Sequence, residues 1–294
     1  MTSYVQQFRF DRDPLFHPKV LDWERRVRSN GGFVSMKSML AVNKFYKRLN
    51  AYGIMSKMQG FITIVPDNII AATTPIGNFI GGYNYDNNYI DGQTPWDVVN
   101  GPAILSVNGI TGSVNNCYLA STVVPSVFMS NSVVTSSVGM TVYIPFYSQT
   151  GEVDIGLIGH GGTLNMYTDY NDINYTCFFD CFNNDQSTGR IFGTPVDHSA
   201  GYFSGNRLND SDSKLYSANS LNPHYIVASG NTMGGNPLKV DDVPTLGHSN
   251  GNAFGFTNRC YSFAAIHNGL TEFESKTLYS AIQRFRQEIG GGYV

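Results

Sequence analysis

Two periodicities divide the chain. Up to about residue 60, apolar positions recur at helical spacing; beyond it they fall into short runs of strand length. Val20, Trp23 and Val27 lie at i, i+3 and i+7 behind Pro18, a residue suited to the first turn of a helix. Asn30-Gly31-Gly32 stops that helix with residues that tolerate positive φ. Ser35 is placed to cap a second helix, striped by Met39, Val42, Tyr46 and Leu49 and ended by Gly53. Residues 1–17 read as an irregular or extended arm with Phe8, Phe10 and Phe16 as anchors.

Past residue 60, apolar runs bounded by Gly, Asn, Asp and Pro predict strands at Phe61–Val65, Ile104–Val107, Tyr118–Val124, Val138–Phe146 and Val153–Ile158. Further strands are predicted at Thr163–Tyr167, Tyr175–Phe182, Tyr225–Ala228 and Cys260–Ile266. Met140-Thr-Val-Tyr-Ile-Pro-Phe alternates as a half-buried strand does. Asn183–Asn222 reads as mostly loop, with Asn206 to Ser213 especially polar. The sharpest local signal is the last helix, 271–289. Thr271 and Glu274 make a capping box, and Leu278, Ile282, Phe285 and Ile289 share one face before Gly290-Gly-Gly. The pattern therefore divides into an arm and basic helical hairpin over 1–60 and a β-sandwich over 61–294 that the final helix closes. No repeat occurs at a solenoid or propeller period.

Composition sharpens this picture. Hydrophobic residues make up 41%, enough for a core, while charged residues make up only 14%. Asn, Ser, Thr, Gly and Tyr replace the missing charge, as suits β-turns and polar contact surfaces. The net charge of −3 is unevenly spread, with +7 over residues 1–60 and −10 over the rest. Arg25, Arg26, Arg28, Lys44, Lys47 and Arg48 are thus candidates for docking on an acidic surface; the alternative is that they are the solvated faces of two ordinary helices. They lack interleaved aromatics, which argues against nucleic acid. No apolar run approaches the roughly 18 residues that span a membrane, and a signal-peptide pattern is absent, so assembly in the cytoplasm is expected. Cys117, Cys177, Cys181 and Cys260 lack the paired doublets of a structural zinc site and read as free thiols.

Three segments carry a resemblance. Trp23-Glu-Arg-Arg-Val-Arg-Ser-Asn-Gly-Gly-Phe-Val-Ser, continued by Ser38-Met-Leu-Ala-Val-Asn-Lys-Phe and Gly53-Ile-Met-Ser-Lys57, is similar to a helical hairpin ahead of a sandwich. Gly109-Ile-Thr-Gly-Ser-Val-Asn-Asn-Cys-Tyr-Leu-Ala-Ser is similar to a turn-strand unit in which Cys117 replaces the expected Lys. Asn258-Arg-Cys-Tyr-Ser-Phe-Ala-Ala-Ile-His-Asn-Gly-Leu-Thr-Glu-Phe-Glu completes the set, running into Leu278-Tyr-Ser-Ala-Ile-Gln-Arg-Phe285. Together they resemble the concanavalin A-like modules of tailed-bacteriophage virion proteins, found in tail fibres, baseplates and head decorations. The resemblance implies a mainly β, jelly-roll sandwich in a virion structural protein, with other virion proteins or further copies of itself as partners.

The residue chemistry is sparse. A hydrolase needs a nucleophile with its base or two facing carboxylates. Glu152 is the one Glu between 61 and 271, and Glu152-Val-Asp154 supplies only half of a glucanase strand motif; His160-Gly-Gly has no nucleophile elbow to serve. The chain is therefore read as a non-enzyme, with polysaccharide cleavage as the third reading. Calcium is the one cofactor considered, at Asp86–Asp91 or Asp169–Asp172, although Asp/Asn-rich turns also form without metal. Tyr85, Tyr89, Trp96, Tyr167, Asp169, Tyr170 and Asp172 supply the aromatics and amide or carboxylate groups of a sugar site. The same residue types serve protein interfaces. Non-catalytic contact on a virion ranks first, and a lectin-like module for host surface glycans second.

Overall fold

Pro18 occupies the first position of helix α1 (Pro18–Ser29), where its missing N–H costs nothing. The Ser35 hydroxyl accepts from Ser38 N at 3.2 Å and starts α2 (Met36–Ala51). Gly53 follows at φ 73° and starts a 3-10 turn, Ile54–Ser56, that leads into the first strand. A short helix α3 (Ile69–Thr73), which no apolar period announces, is capped by Asn68. Thr271 caps α4 (Glu272–Ile289), and both halves of the capping box are present. The computed structural model describes residues 15–77, 82–83, 89–90, 95–99, 101–112, 118–120, 137–146, 153–158, 163–170, 176–181, 189–196, 200–231, 245–247 and 259–292.

The strands are short, as the turn-rich sequence predicts. In chain order they begin with β1 (Met58–Thr63), β2 (Ile76–Gly77), β3 (Gly82–Tyr83), β4 (Tyr89–Ile90), β5 (Asp97–Val99) and β6 (Ala103–Ser106). β7 (Gly109–Gly112), β8 (Tyr118–Ala120), β9 (Val138–Ile144), β10 (Ile155–Ile158), β11 (Thr163–Tyr167), β12 (Cys177–Cys181) and β13 (Arg190–Gly193) follow. The last are β14 (Gly201–Asn209), β15 (Asp212–Ala218), β16 (Tyr225–Gly230), β17 (Thr245–Leu246), β18 (Cys260–Tyr261) and β19 (Phe263–His267). Among the described residues they form two seven-stranded sheets, β16-β15-β14-β9-β19-β1-β2 and β13-β12-β11-β10-β17-β8-β5. A small sheet β18-β7-β6 and the ribbon β3-β4 complete the set. This is the mainly β jelly-roll sandwich with an N-terminal helix pair and a C-terminal helix.

The molecule has three layers. One core lies between the two large sheets, where Met140, Val142, Phe203, Leu215 and Ile266 meet Ile155, Leu164, Met166, Phe179 and Ile191. The other lies between the first sheet and the helices, where Val20, Trp23, Phe45, Leu278 and Phe285 cover Phe61, Tyr143, Tyr202 and Phe263. Phe45 sits at its centre, with ring centroids 5.6 Å from Phe61, 5.6 Å from Phe263 and 5.5 Å from Phe285. Truncating a ring so buried costs about 3–5 kcal/mol. The first sheet is thus covered on both faces, and β9 is buried along its whole length.

The reading of Asn183–Asn222 as mostly loop is corrected: β13 of the second sheet and β14 and β15 of the doubly covered first sheet all lie within it. Covered on both sides, β14 has no solvent face on which to show alternation. Its polar side chains Ser204, Asn206 and Arg207 are buried and paired: Ser204 with Thr141 at 2.8 Å, Asn206 with Leu270 N at 2.8 Å, Arg207 with Asp210. The predicted strand Cys260–Ile266 also divides. Ser262 N bonds Tyr143 O at 3.0 Å, so β18 pairs with β7 while β19 pairs with β1 and β9. The three segments of the sequence resemblance meet in this frame: α1 and α2 share a core with α4, and Cys260 faces Thr111 across the small sheet.

Candidate functional site

Strand alternation sorts β11, β12 and β13 into an inward and an outward set. Leu164, Met166, Cys177, Phe179, Cys181 and Ile191 enter the sandwich core. Tyr167, Phe178, Asp180, Arg190 and Phe192 point the other way, onto the outer face of the second sheet. Register then aligns them. Tyr167 lies opposite Phe178, and Phe178 opposite Phe192, which makes an aromatic row across three strands. Its ring centroids are 5.9 Å and 6.2 Å apart. Tyr170, just beyond β11, is fixed by its N–H to Thr176 O at 2.7 Å and leans to 5.1 Å from Phe178.

The next row holds the polar part. Asp180 lies opposite Asn165 on one side and Arg190 on the other. Arg190 donates from Nε to Asp180 Oδ1 at 2.5 Å and from Nη2 to Oδ2 at 2.8 Å, a two-pronged pair. Its guanidinium carbon also lies 4.5 Å from the Phe178 ring centroid. Burial pushes the Asp180 carboxyl above its ordinary value, and Arg190 opposes that shift. Hydrogen bonding to Asp180 in turn raises the Arg190 pKa. Phe178 is almost covered, but Tyr170 is 45% and Phe192 49% exposed, so the row ends in two accessible rings held by packing. Such a face can stack on the C–H face of a sugar, with the partly exposed Arg190 guanidinium held beside it by the buried Asp180. It offers no free acid–base pair, because the Asp180 carboxylate is already held.

Of the other residues singled out in the sequence, Trp96 is 3% exposed and lies in the core between the sheets, with no ring face to solvent. Asp169 is buried 3.6 Å from Arg259. Asp154 accepts from Arg259 Nη1 at 2.9 and 2.8 Å, from Tyr261 Oη at 2.8 Å and from Thr168 N at 2.7 Å. A guanidinium therefore sits between the two carboxylates. Tyr85, Asp172, Glu152, His160 and Cys117 lie outside the described residues, as does the Tyr89 side chain. Among the described residues, no group of three or more His, Cys, Asp or Glu is placed to hold a metal. Cys177 and Cys181 are buried free thiols, and burial pushes Cys177 up to about 12.

The basic residues have partners within the fold. Arg25 and Arg26 both reach Asp22, at 2.9 and 3.1 Å, and Arg26 also donates to Pro75 O at 3.0 Å. Arg28 pairs with Glu24; Lys44 and Arg48 approach Glu288 at 3.7 and 2.9 Å; Lys47 donates to Leu15 O at 2.6 Å.

Sequence reasoning named Tyr167 and Tyr170 but missed Phe178, Asp180, Arg190 and Phe192. The alternation in Cys177-Phe-Phe-Asp-Cys181 marks Phe178 and Asp180 as one face. Arg190 and Phe192 join them only through register across a long connection.

No protein-family model and no curated protein matches the chain. Among solved structures, it is similar to domain 4 of AbnA, an extracellular GH43 arabinanase from Geobacillus stearothermophilus, in complex with arabinotriose. Identity is 14% and the TM-score 0.45, over 76% of this chain and 98% of that one. It is also similar to the binding domain of botulinum neurotoxin DC in complex with SialylT, at 11% identity and TM-score 0.46, over 70% of this chain and 51% of that one. A Trypanosoma rangeli sialidase aligns at 11% identity and TM-score 0.44, over 81% of this chain and 37% of that one. The chain thus spans about half of the neurotoxin domain and little more than a third of the sialidase. All three TM-scores lie below 0.5, and these likenesses carry neither a ligand nor an activity to this chain.

Proposed function

We propose that the chain is a non-catalytic, lectin-like recognition module that binds glycans on the outer face of its second sheet. One observation carries this reading: Tyr170 and Phe192 stand exposed at the ends of a packed aromatic row beside the Arg190–Asp180 pair. Rings held in place by neighbours lose little freedom on binding, which favours affinity. The Arg190 guanidinium, its charge offset by the buried Asp180, is the partly exposed polar group beside the rings, which suits neutral sugars. The test is a glycan array of bacterial and host surface polysaccharides, probed with the wild type, Tyr170→Ala and Phe192→Ala. Each exposed ring is expected to contribute about tenfold in Kd, or about 1.4 kcal/mol, with melting unchanged. A blank array, or binding indifferent to both variants, rules the reading out. Trp96 is a poor probe, because its replacement would open the core.

A second reading is the virion structural role implied by the sequence resemblance. What supports it is that the three resembling segments form one contiguous frame. They are joined where Arg286, on α4, donates to Asn108 O at 3.2 Å beside β7. Mass spectrometry of purified phage particles tests it: a fixed copy number per particle is expected, and absence from the particle would sink it. Both readings hold together if the module displays its aromatic face from a particle.

A further inference from the structure

A groove on the opposite side of the molecule is occupied by nothing in the reading above. It runs between the C-terminal end of α2 and the exposed face of α4 and encloses about 340 Å³. Phe273, Thr277, Ser280 and Arg284 recur at i, i+4, i+7 and i+11, a second stripe on α4 facing away from the core stripe of Leu278, Ile282 and Phe285. Tyr52 and Phe273 form one wall, 56% and 65% exposed, with ring centroids 6.2 Å apart at 66°. The other wall is cationic. Arg48 is fixed by Glu288 at 2.9 Å, whereas Lys276 and Arg284 make no ion pair among the described residues.

We infer that this groove docks an acidic peptide segment of a partner protein, one aromatic or aliphatic side chain entering between Tyr52 and Phe273 and carboxylates meeting Lys276 and Arg284. Charge complementarity argues for this occupant: two unpaired cations flank an exposed apolar pair. The groove's volume suits one or two side chains rather than a chain of bases. Tyr52 and Phe273 also stand edge to face, whereas single-stranded nucleic acid needs a succession of open ring faces.

The probe is a dye-labelled synthetic peptide, acetyl-Glu-Asp-Phe-Glu-Asp-amide, titrated with the full chain at low salt and followed by fluorescence anisotropy. Its Gln/Asn counterpart serves as the uncharged control. Saturable binding is expected. It should weaken at least tenfold in the double variant Lys276→Glu/Arg284→Glu and in Phe273→Ala, fade as salt screens the charges, and be absent for the control peptide. All three positions are exposed, so thermal melting should not move. No saturable binding, binding indifferent to both variants, or equal competition by an oligothymidylate would overturn the inference. So would a wild-type dimer in sedimentation velocity that the double variant dissolves, since a second copy would then be the occupant.

Discussion

A single nitrogen of Arg259 bridges both oxygens of Asp154, at 2.9 and 2.8 Å, and neither side chain has any solvent exposure. Arg259 adjoins β18, Asp154 adjoins β10, and Tyr261 adds a third contact to the same carboxylate, so the pair ties the small sheet to the second large one. Removing one partner strands a charge in the interior. Arg259→Met takes the cation from both Asp154 and Asp169 and should cost about 3–5 kcal/mol in urea unfolding; Asp154→Leu should cost as much, and the double variant Arg259→Met/Asp154→Leu should lose less than the sum of the two. Additive losses in the double variant would contradict a coupled pair.

Gly109 occupies a backbone position that a side chain cannot share. Its φ is 144°, and a Cβ there would stand 2.1 Å from Tyr261 O on the paired strand. Gly109→Ala should therefore lower stability by about 1–3 kcal/mol from backbone strain alone, with the collision adding to it. Chemical denaturation followed by tryptophan fluorescence reads the loss; a neutral result would mean that β7 and β18 are not joined as described.

His267 gives the fold a pH dependence of known sign. Burial, with a smaller contribution from Lys57, lowers its pKa to about 4, against roughly 6.5 for an unfolded histidine. The neutral ring donates from Nδ1 to Asn268 O and accepts at Nε2 from Thr141, both at 2.8 Å. Between these pKa values the unfolded chain holds more protons, so stability rises with pH. The contribution is complete above about pH 6.5 and is lost at about 1.4 kcal/mol per pH unit as the pH falls toward 4. Unfolding free energies at pH 5 and pH 7.5 should differ more in the wild type than in His267→Gln. Equal slopes would remove His267 as the cause.

Thr271→Ala isolates one local device. It deletes the hydroxyl that accepts from Glu274 N at 3.4 Å and donates to Glu274 Oε2 at 2.8 Å. A cost of about 1 kcal/mol is expected, with Thr271→Ser close to wild type. A loss well above 2 kcal/mol would mean that the cap also supports the Lys57–Glu274 ion pair, which closes at 2.7 Å.

What was legible in the sequence was local. The stripes of α1, α2 and α4 and their caps read correctly because each depends on residues within one or two turns. β14 did not, because the central sheet is covered on both faces and buries Ser204, Asn206 and Arg207 against partners far along the chain. Trp96 shows the same limit from the other side: its residue type fits a sugar platform, but tertiary packing puts it in the core. Tyr167 and Tyr170 could be named from composition. Arg190 and Phe192 could not, since only the register of β12 with β13 brings them beside Phe178.

The layering has a mechanical consequence. The exposed rings of Tyr170 and Phe192 lie on the far side of the second sheet, and the Tyr52/Phe273 groove opens on the outer side of the helices. Between them stands the first sheet, clamped on both faces with about 10 Å between sheet planes. A pull applied across those two surfaces would run through side-chain interlock at two packed interfaces, and among the described residues no linker lies along that path to stretch first. The fold would then behave as a stiff spacer, transmitting tension between whatever is bound at its two ends.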